Sequence, residues 1–252
     1  MRSLRPAGLL AAGRRLFTGS GRPPGRPSRK RGKPPVALVY RGPASLPGCP
    51  ETVAKLLESS RWGFDVRYVG PDGEVPLSPQ ALAGAALYVQ PGGDTLEEGY
   101  RHMRRQREAI RQFVGAGGSY LGFCLGGYLA GATPGFALLP GDTDQYIASP
   151  GATIGSTGDA LVEVRWRGRS RNLFFQDGPY FWLHPDTDAT VVATYPNGTT
   201  AALVVGFGAG RVGVVGPHPE ATEDWYLDAG LPLTDRLGTD LGLDLVDEVM
   251  QP

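Results

Sequence analysis

The sequence predicts an α/β protein with a mainly parallel sheet in its first half and further strands in its second half. Between residues 36 and 130, short apolar runs of strand length alternate with helical apolar patterns, which is typical of strands that pair in parallel. Between residues 136 and 215, the strand-like runs are separated by Asp-Gly, Asn-Gly and Gly-Ala-Gly turn signals. These turns indicate an antiparallel β extension of the same sheet.

The first half is interpreted as alternating strands and helices. Residues 36–40 (VALVY) form an apolar run of strand length, and residues 51–60 follow with Val53, Leu56 and Leu57 at helical spacing. Further strands are predicted at residues 64–69, 86–90 and 120–123, and further helices at 97–115 and 125–130. The arginines of the long helix, Arg104, Arg105, Arg107 and Arg111, are expected to face solvent.

The second half is predicted to contain mostly strands and two closing helices. The strands are expected at residues 160–166, 172–176, 189–195, 200–206 and 210–215, and the helices at about 219–229 and 232–249. We expect residues 35–252 to form one domain, because a chain of this length buries a sizeable core.

Composition excludes several classes of protein. Of the 252 residues, 41% are hydrophobic, and no run of 18 apolar residues suggests a transmembrane helix. Two cysteines, Cys49 and Cys124, are too few for a disulfide-rich secreted scaffold. No Cys/His cluster has the spacing of metal ligands, so neither a metal nor another cofactor is expected.

Charge separates residues 1–34 from the rest of the chain. They carry ten of the 25 Lys and Arg and none of the 25 Asp and Glu, so residues 35–252 have a formal net charge of −10. An acidic body argues against nucleic-acid binding, which requires clustered cations. Residues 1–34 are predicted to be a disordered basic tail, and the protein is then expected in the cytoplasm. The alternative is that these residues are a targeting segment that directs the protein to export or to an organelle.

One cysteine follows a buried strand in the pattern of a nucleophile elbow. Cys124 ends the apolar run that begins at Tyr120, and Gly122 and Gly126 flank it. A nucleophile on a sharp strand-to-helix turn needs small neighbours because its backbone is strained. The alternative is that Cys124 is a small buried hydrophobic residue.

Of the three histidines, His218 is the best candidate for a base acting on Cys124. It lies in Gly-Pro-His-Pro-Glu directly after a predicted strand, so a parallel sheet brings it to the edge that holds Cys124. Glu220 is then predicted to accept the imidazole N–H. The alternatives are that His184 is the base and that Glu220 only stabilises a helix N-terminus.

A glycine pair is a candidate for binding the oxyanion of an acyl intermediate. Gly92 and Gly93 follow the strand predicted at residues 86–90. The backbone N–H groups of Gly93 and Leu125 are predicted donors to the oxyanion. An ordinary strand-to-helix turn is the alternative. Cys49 is expected at the same edge, where redox coupling to Cys124 is a further alternative.

Together, these motifs resemble those of the class I glutamine amidotransferase-like superfamily. Pro-Gly-Gly (91–93), Gly-Phe-Cys-Leu-Gly-Gly (122–127) and Gly-Pro-His-Pro-Glu (216–220) occur in that family's order. Residues 39–43, 127–130 and 178–181 are most similar to the branch named for the N-terminal domain of biotin-protein ligase. The resemblance implies a flavodoxin-like three-layer α/β/α sandwich. Leu125 distinguishes the chain from the sibling group of protease-, chaperone- and glyoxalase-like proteins, which usually have His at that position.

The resemblance also implies an activity. Cys124 would be the nucleophile, His218 the base and Glu220 its orienting residue in an amidohydrolase or amidotransferase that acts on glutamine or a similar carboxamide through a thioester. The sequence contains no ATP-binding Walker motif and no ligase catalytic domain. Any acceptor chemistry would therefore need a separate synthase or acceptor protein. The alternative is a non-catalytic module of the same fold that senses a ligand or binds a partner.

Overall fold

A computed structural model describes residues 33–233 and 236–251 of the chain. The basic segment predicted at residues 1–34 lies outside the described residues, apart from Lys33 and Pro34. In the described part of the chain, no helix combines the length and apolar character that crossing a membrane requires.

The first half contains the predicted alternation of strands and helices. Its strands are β1 (Val36–Tyr40), β2 (Asp65–Val69), β3 (Leu87–Gln90) and β4 (Ser119–Phe123). Its helices are α1 (Cys49–Glu58), α2 (Pro79–Ala83), α3 (Leu96–Met103), α4 (Arg107–Gly115) and α5 (Leu125–Ala130). The sequence pattern missed α2, a single turn capped by the Ser78 side chain.

The long helix predicted at residues 97–115 is divided into α3 and α4. The chain tightens between them, where the Gln106 N–H donates to the Met103 carbonyl at 2.8 Å. Met103 of α3 and Ile110 of α4 are both buried in the same core. The predicted solvent position of Arg111 is also wrong: its guanidinium donates to the Phe136 carbonyl at 2.8 Å and stacks on the Phe207 ring.

The second half contains the remaining strands and two further α-helices. The strands are β5 (Gly141–Gln145), β6 (Ala160–Trp166), β7 (Arg169–Phe175), β8 (Pro179–Leu183), β9 (Ala189–Thr194), β10 (Thr200–Phe207) and β11 (Gly210–Val215). The helices are α6 (Glu223–Asp228) and α7 (Thr239–Val249). Both begin later than predicted. Residues 218–222 form a turn instead, closed by the Ala221 N–H donating to the His218 carbonyl at 3.2 Å.

The strands form one sheet in the order β2-β1-β3-β4-β11-β10-β9-β6-β7. Strands β2, β1, β3, β4 and β11 are parallel, and the strands from β11 to β7 pair antiparallel. Strands β5 and β8 pair with each other, and β8 joins β10. The structure confirms both the parallel core and its antiparallel extension.

Helices cover both faces of the parallel strands. Helices α1 and α7 pack with one core, and α2, α3, α4 and α5 pack with the other. The arrangement is the expected three-layer α/β/α sandwich. In the sheet register Gln90 lies beside Gly122, and Phe123 lies beside Val215, so β3, β4 and β11 end together. The segments that follow these three strands therefore meet at one carboxyl edge.

Candidate active site

Cys124 occupies a sharp turn between β4 and α5. Its backbone has φ 47° and ψ −105°, a conformation that non-glycine residues rarely adopt. The turn is held on both sides, because the Cys124 N–H donates to the Val215 carbonyl at 2.9 Å and the Tyr128 N–H donates to the Cys124 carbonyl at 3.0 Å. The side chain is therefore displayed at the carboxyl edge with little backbone freedom.

The flanking glycines are needed because backbone approaches them closely. A Cβ on Gly126 would collide with the Gln90 carbonyl, and one on Gly122 would collide with the backbone of Gly126. The small residues that the sequence predicts on either side of Cys124 are thus required by specific backbone contacts. The turn is pressed against the end of β3.

His218 and Glu220 form a buried pair beyond β11. The imidazole Nδ1 lies 2.9 Å from Glu220 Oε1, and the two residues are only 3% and 4% exposed. The His218 backbone N–H donates to the Phe174 carbonyl at 2.8 Å, and the ring packs against Phe174 and Trp225. Backbone and ring contacts together fix the orientation of the imidazole.

The surroundings of His218 favour its protonated form. Burial by itself lowers the pKa of the imidazole, but the Glu220 carboxylate and the Cys124 sulfur outweigh burial and raise the pKa to about 10. Both residues act through charge and through hydrogen bonding. The structure thus brings Cys124, His218 and Glu220 together, as the sequence predicted. The Cys124 sulfur also lies 3.5 Å from the Gln176 carbonyl oxygen.

The glycine pair after β3 packs directly against this group. A Cβ on Gly92 would lie 2.8 Å from His218 Cε1, and one on Gly93 would contact the Leu125 side chain. Within the described residues, the N–H groups of Gly93 and Leu125 donate to no acceptor. Two unoccupied donors therefore lie near the Cys124 turn.

A cavity of about 590 Å³ opens beside Cys124. Its walls come from the start of α3, from β5 and from the turn at Gln176 and Asp177. Tyr128 ties this turn to α5, since its hydroxyl donates to the Asp177 carbonyl at 3.1 Å. Sequence reasoning did not find these walls. In the sequence, the Asp-Gly dipeptide at residues 177–178 indicates only a turn, and the polar β5 has no apolar pattern.

The remaining histidines and the second cysteine take different positions. His102 and His184 are exposed, which argues against His184 as the base. Cys49 is buried near Gly92, and its pKa is raised by burial, with further contributions from Glu220 and Cys124. In the described residues, no group of three or more His, Cys, Asp or Glu is arranged to hold a metal ion.

Sequence comparisons find relatives among imidazole glycerol phosphate synthase subunits and biotin-protein ligases. The family described as "Biotin-protein ligase, N terminal" matches residues 36–152. The imidazole glycerol phosphate synthase subunit HisH of Symbiobacterium thermophilum is 31% identical over 160 residues, which cover 60% of this chain and 72% of HisH. The biotin–protein ligase of Schizosaccharomyces pombe is 26% identical over 196 residues, which cover 67% of this chain but only 30% of the yeast protein.

Solved structures with a similar fold are found as well. A glutamine amidotransferase crystal structure matches with a TM-score of 0.56 and 18% identity, covering 84% of this chain and 99% of that one. The PurLQS structure from Thermotoga maritima matches with a TM-score of 0.56 and 20% identity, covering 83% of this chain and 97% of that one. At these identities the similarity establishes the fold alone.

Proposed function

This chain belongs to the class I glutamine amidotransferase-like superfamily, and we propose that it is an enzyme that cleaves a carboxamide through a thioester on Cys124. The observation that carries the proposal is the buried His218–Glu220 pair beside the Cys124 sulfur. A cysteine that served only as a small core residue would need neither a buried imidazole nor a buried carboxylate next to it.

The first step is formation of the nucleophile. Since Nδ1 of His218 is engaged by Glu220, we assign Nε2 to the Cys124 sulfur. Transfer of the thiol proton to Nε2 gives a thiolate and an imidazolium, and the Glu220 carboxylate stabilises the imidazolium. The raised pKa of His218 supports this assignment, because it means that the ring holds the transferred proton well.

Acylation and hydrolysis then follow at the same group. The thiolate attacks the amide carbon, and the N–H groups of Gly93 and Leu125 donate to the oxyanion that forms. His218 gives its proton to the leaving nitrogen, which departs as ammonia and leaves a thioester on Cys124. A water molecule loses a proton to His218 and attacks the thioester, releasing the carboxylic acid and restoring the thiol.

The fate of the ammonia is a second part of the proposal. The HisH relative is named as a subunit of a synthase. We propose that this chain likewise works with a separate synthase or acceptor protein, or else releases ammonia as a simple amidohydrolase. The substrate is glutamine or another small carboxamide.

Ammonia release from a panel of amides tests the proposal. The panel contains glutamine, asparagine, neutral alkyl amides and amine-bearing amides. We expect turnover of at least one of them, no turnover by Cys124→Ser, and a rate at least about 10²-fold lower in His218→Ala, because general-base catalysis typically contributes that much. His184→Ala is the matched control and is expected to behave like the wild type, since His184 is exposed.

The alternative is a ligand-binding module that keeps the pocket without turnover. The match to the N-terminal region of biotin-protein ligase favours it, because that region covers only part of a longer enzyme. Thermal-shift measurements on the same panel distinguish the two. Stabilisation by one of the amides, with no ammonia released from any amide of the panel, would support the module and reject the enzyme.

A further inference from the structure

The charge of the cavity beside Cys124 points to a class of substrate. Resting on the proposed function, we infer that this cavity selects a carboxamide that carries a positive charge and no carboxylate, that is, an amine-bearing amide. Four carboxylates line the cavity, those of Asp94, Glu97, Asp144 and Asp177, whereas no Lys, Arg or His of the described residues lines it.

Among residues 33–233 and 236–251, no cation pairs with these four carboxylates. Asp94 accepts the Thr95 N–H at 2.8 Å, and Asp144 accepts the Gln145 N–H at 2.7 Å, both neutral backbone donors. In the described part of the chain none of the four forms a salt bridge. Elsewhere on the surface, Glu51 is paired with Arg41, and Asp244 is paired with Arg167. The cavity therefore keeps a negative charge that its own residues do not neutralise.

Asp177 is the carboxylate that the structure holds most firmly against the cavity. The Gln145 side-chain amide donates to both of its oxygens, at 3.2 and 2.9 Å. Its backbone carbonyl accepts the Tyr128 hydroxyl, and Tyr128 follows Cys124 by one helical turn. The half-buried carboxylate is thus fixed by neutral donors, and burial raises its pKa. A bound ammonium would supply the missing countercharge.

The same charges disfavour a substrate with a carboxylate. Glutamine carries both an ammonium and a carboxylate, and no cation of the described residues lines the cavity to receive the carboxylate. Like charges within a few ångströms repel strongly in a partly desolvated cleft. An amide that carries an amine and no carboxylate places its ammonium beside the cavity carboxylates and is not repelled by them.

Charged thiol reagents test this inference without requiring turnover. The rate of modification of Cys124 is measured in the wild-type chain by peptide mass mapping with two methanethiosulfonates, one bearing trimethylammonium and one bearing sulfonate. The cation-to-anion ratio of the rates is divided by the same ratio for 2-mercaptoethanol, which removes the intrinsic difference between the reagents. A substitution that alters the reactivity of the Cys124 thiol changes both modification rates by a similar factor, because both reagents attack the same sulfur. The ratio of the rates is therefore unaffected by it.

We expect a normalised ratio of about 10 or more at low ionic strength, since a cleft lined by charge of one sign changes local ion concentrations by at least this factor. The double variant Asp144→Asn/Asp177→Asn should lower the ratio several-fold. Glu58→Gln is the matched control, because Glu58 is an exposed carboxylate at the far end of α1. It should change the ratio by less than a factor of two.

Each other outcome overturns the inference. A normalised ratio near or below one rejects it, and so does failure of both reagents to reach Cys124. If Glu58→Gln lowers the normalised ratio as much as the double variant does, the preference for the cationic reagent comes from the net charge of the whole chain. The proposed reaction and this inference can be rejected independently. A high normalised ratio with no ammonia released from any amide supports the charge preference and rejects turnover. Turnover of glutamine with a normalised ratio of one rejects only this inference.

Discussion

Nδ1 of His218 lies 2.9 Å from Oε1 of Glu220, and both side chains are almost completely buried. The second carboxylate oxygen, Oε2, has no hydrogen-bond partner in the described part of the chain. A buried carboxylate with a single partner is costly unless that partner carries a positive charge. The pair therefore favours an imidazolium in the folded protein.

Replacing Glu220 should lower the pKa of His218. In Glu220→Gln the amide cannot stabilise the imidazolium, and burial then lowers the pKa from about 10 towards or below the ordinary 6.5. NMR titration of the His218 ring measures the change. An unaltered pKa in the variant would show that Glu220 does not control the ring.

The same pair should make stability depend on pH. Because the folded pKa of about 10 exceeds the ordinary 6.5, the contribution of the pair is complete below pH 6.5 and is lost as the pH rises through 10. The free energy of unfolding of the wild type should exceed that of Glu220→Gln by more at pH 6 than at pH 10, by on the order of 1–3 kcal/mol. Urea unfolding at both pH values checks this. A difference that stays constant with pH contradicts it.

Gly126→Ala should destabilise the protein and displace Cys124. The new Cβ would meet the Gln90 carbonyl, so the backbone must move, at a cost of about 1–3 kcal/mol. Urea unfolding measures the loss. Gly155→Ala is the matched control, because the structure has no atom within 4 Å of a Cβ at that position, and its stability should stay within about 0.5 kcal/mol of the wild type. Equal stability of the two variants would argue against close packing at the turn.

Gln90 should matter for stability because it joins two buried groups. Its side chain donates to the Ala44 carbonyl at 2.9 Å and accepts the Tyr88 hydroxyl at 2.7 Å. Gln90→Leu leaves both unpaired and should cost about 1–3 kcal/mol of unfolding free energy. Gln112→Leu, at an exposed glutamine of α4, is the control and should cost much less. A similar loss in both variants would contradict this role.

The two cysteines should differ in reactivity. Both cysteines are buried to the same extent, but Cys124 lines the cavity, whereas Cys49 does not and its thiol has a raised pKa. Iodoacetamide should therefore modify Cys124 at least about 10-fold faster than Cys49, because the thiolate is the reactive form and Cys49 rarely forms it. Peptide mapping over time gives both rates, and in urea they should become similar. Faster modification of Cys49 in the folded protein would contradict the arrangement.

Local sequence patterns were sufficient to predict the parallel core. The apolar run at β1 and the helical spacing in α1 are strong signals because their side chains pack on the sheet. The grouping of Cys124 with His218 was also predictable, since parallel strands end at the same edge. The polar β5 could not be predicted, because its five residues, Gly-Asp-Thr-Asp-Gln, form a strand through pairing with β8 rather than through apolar burial.

Other features depend on contacts that are remote in sequence. The break between α3 and α4 leaves no signal in the apolar pattern, because Met103 and Ile110 are seven residues apart and would share a buried face in an uninterrupted helix as well. Arg111 is half-buried because its guanidinium reaches the Phe136 carbonyl on another segment. The carboxylates that line the cavity likewise come from three separate segments, so no local sequence pattern predicts that they lie together.

Trapping the acyl intermediate tests the central proposal most directly. The chain is mixed with the best amide of the panel, quenched in acid and mapped by mass spectrometry. We predict an adduct on Cys124 whose mass equals that of the acyl part of the amide and which hydroxylamine releases. The adduct should be absent in Cys124→Ser. It should form at least about 10²-fold more slowly in His218→Ala and at the wild-type rate in His184→Ala. Ammonia release that continues unchanged in Cys124→Ser, with no adduct on the wild type, would contradict it.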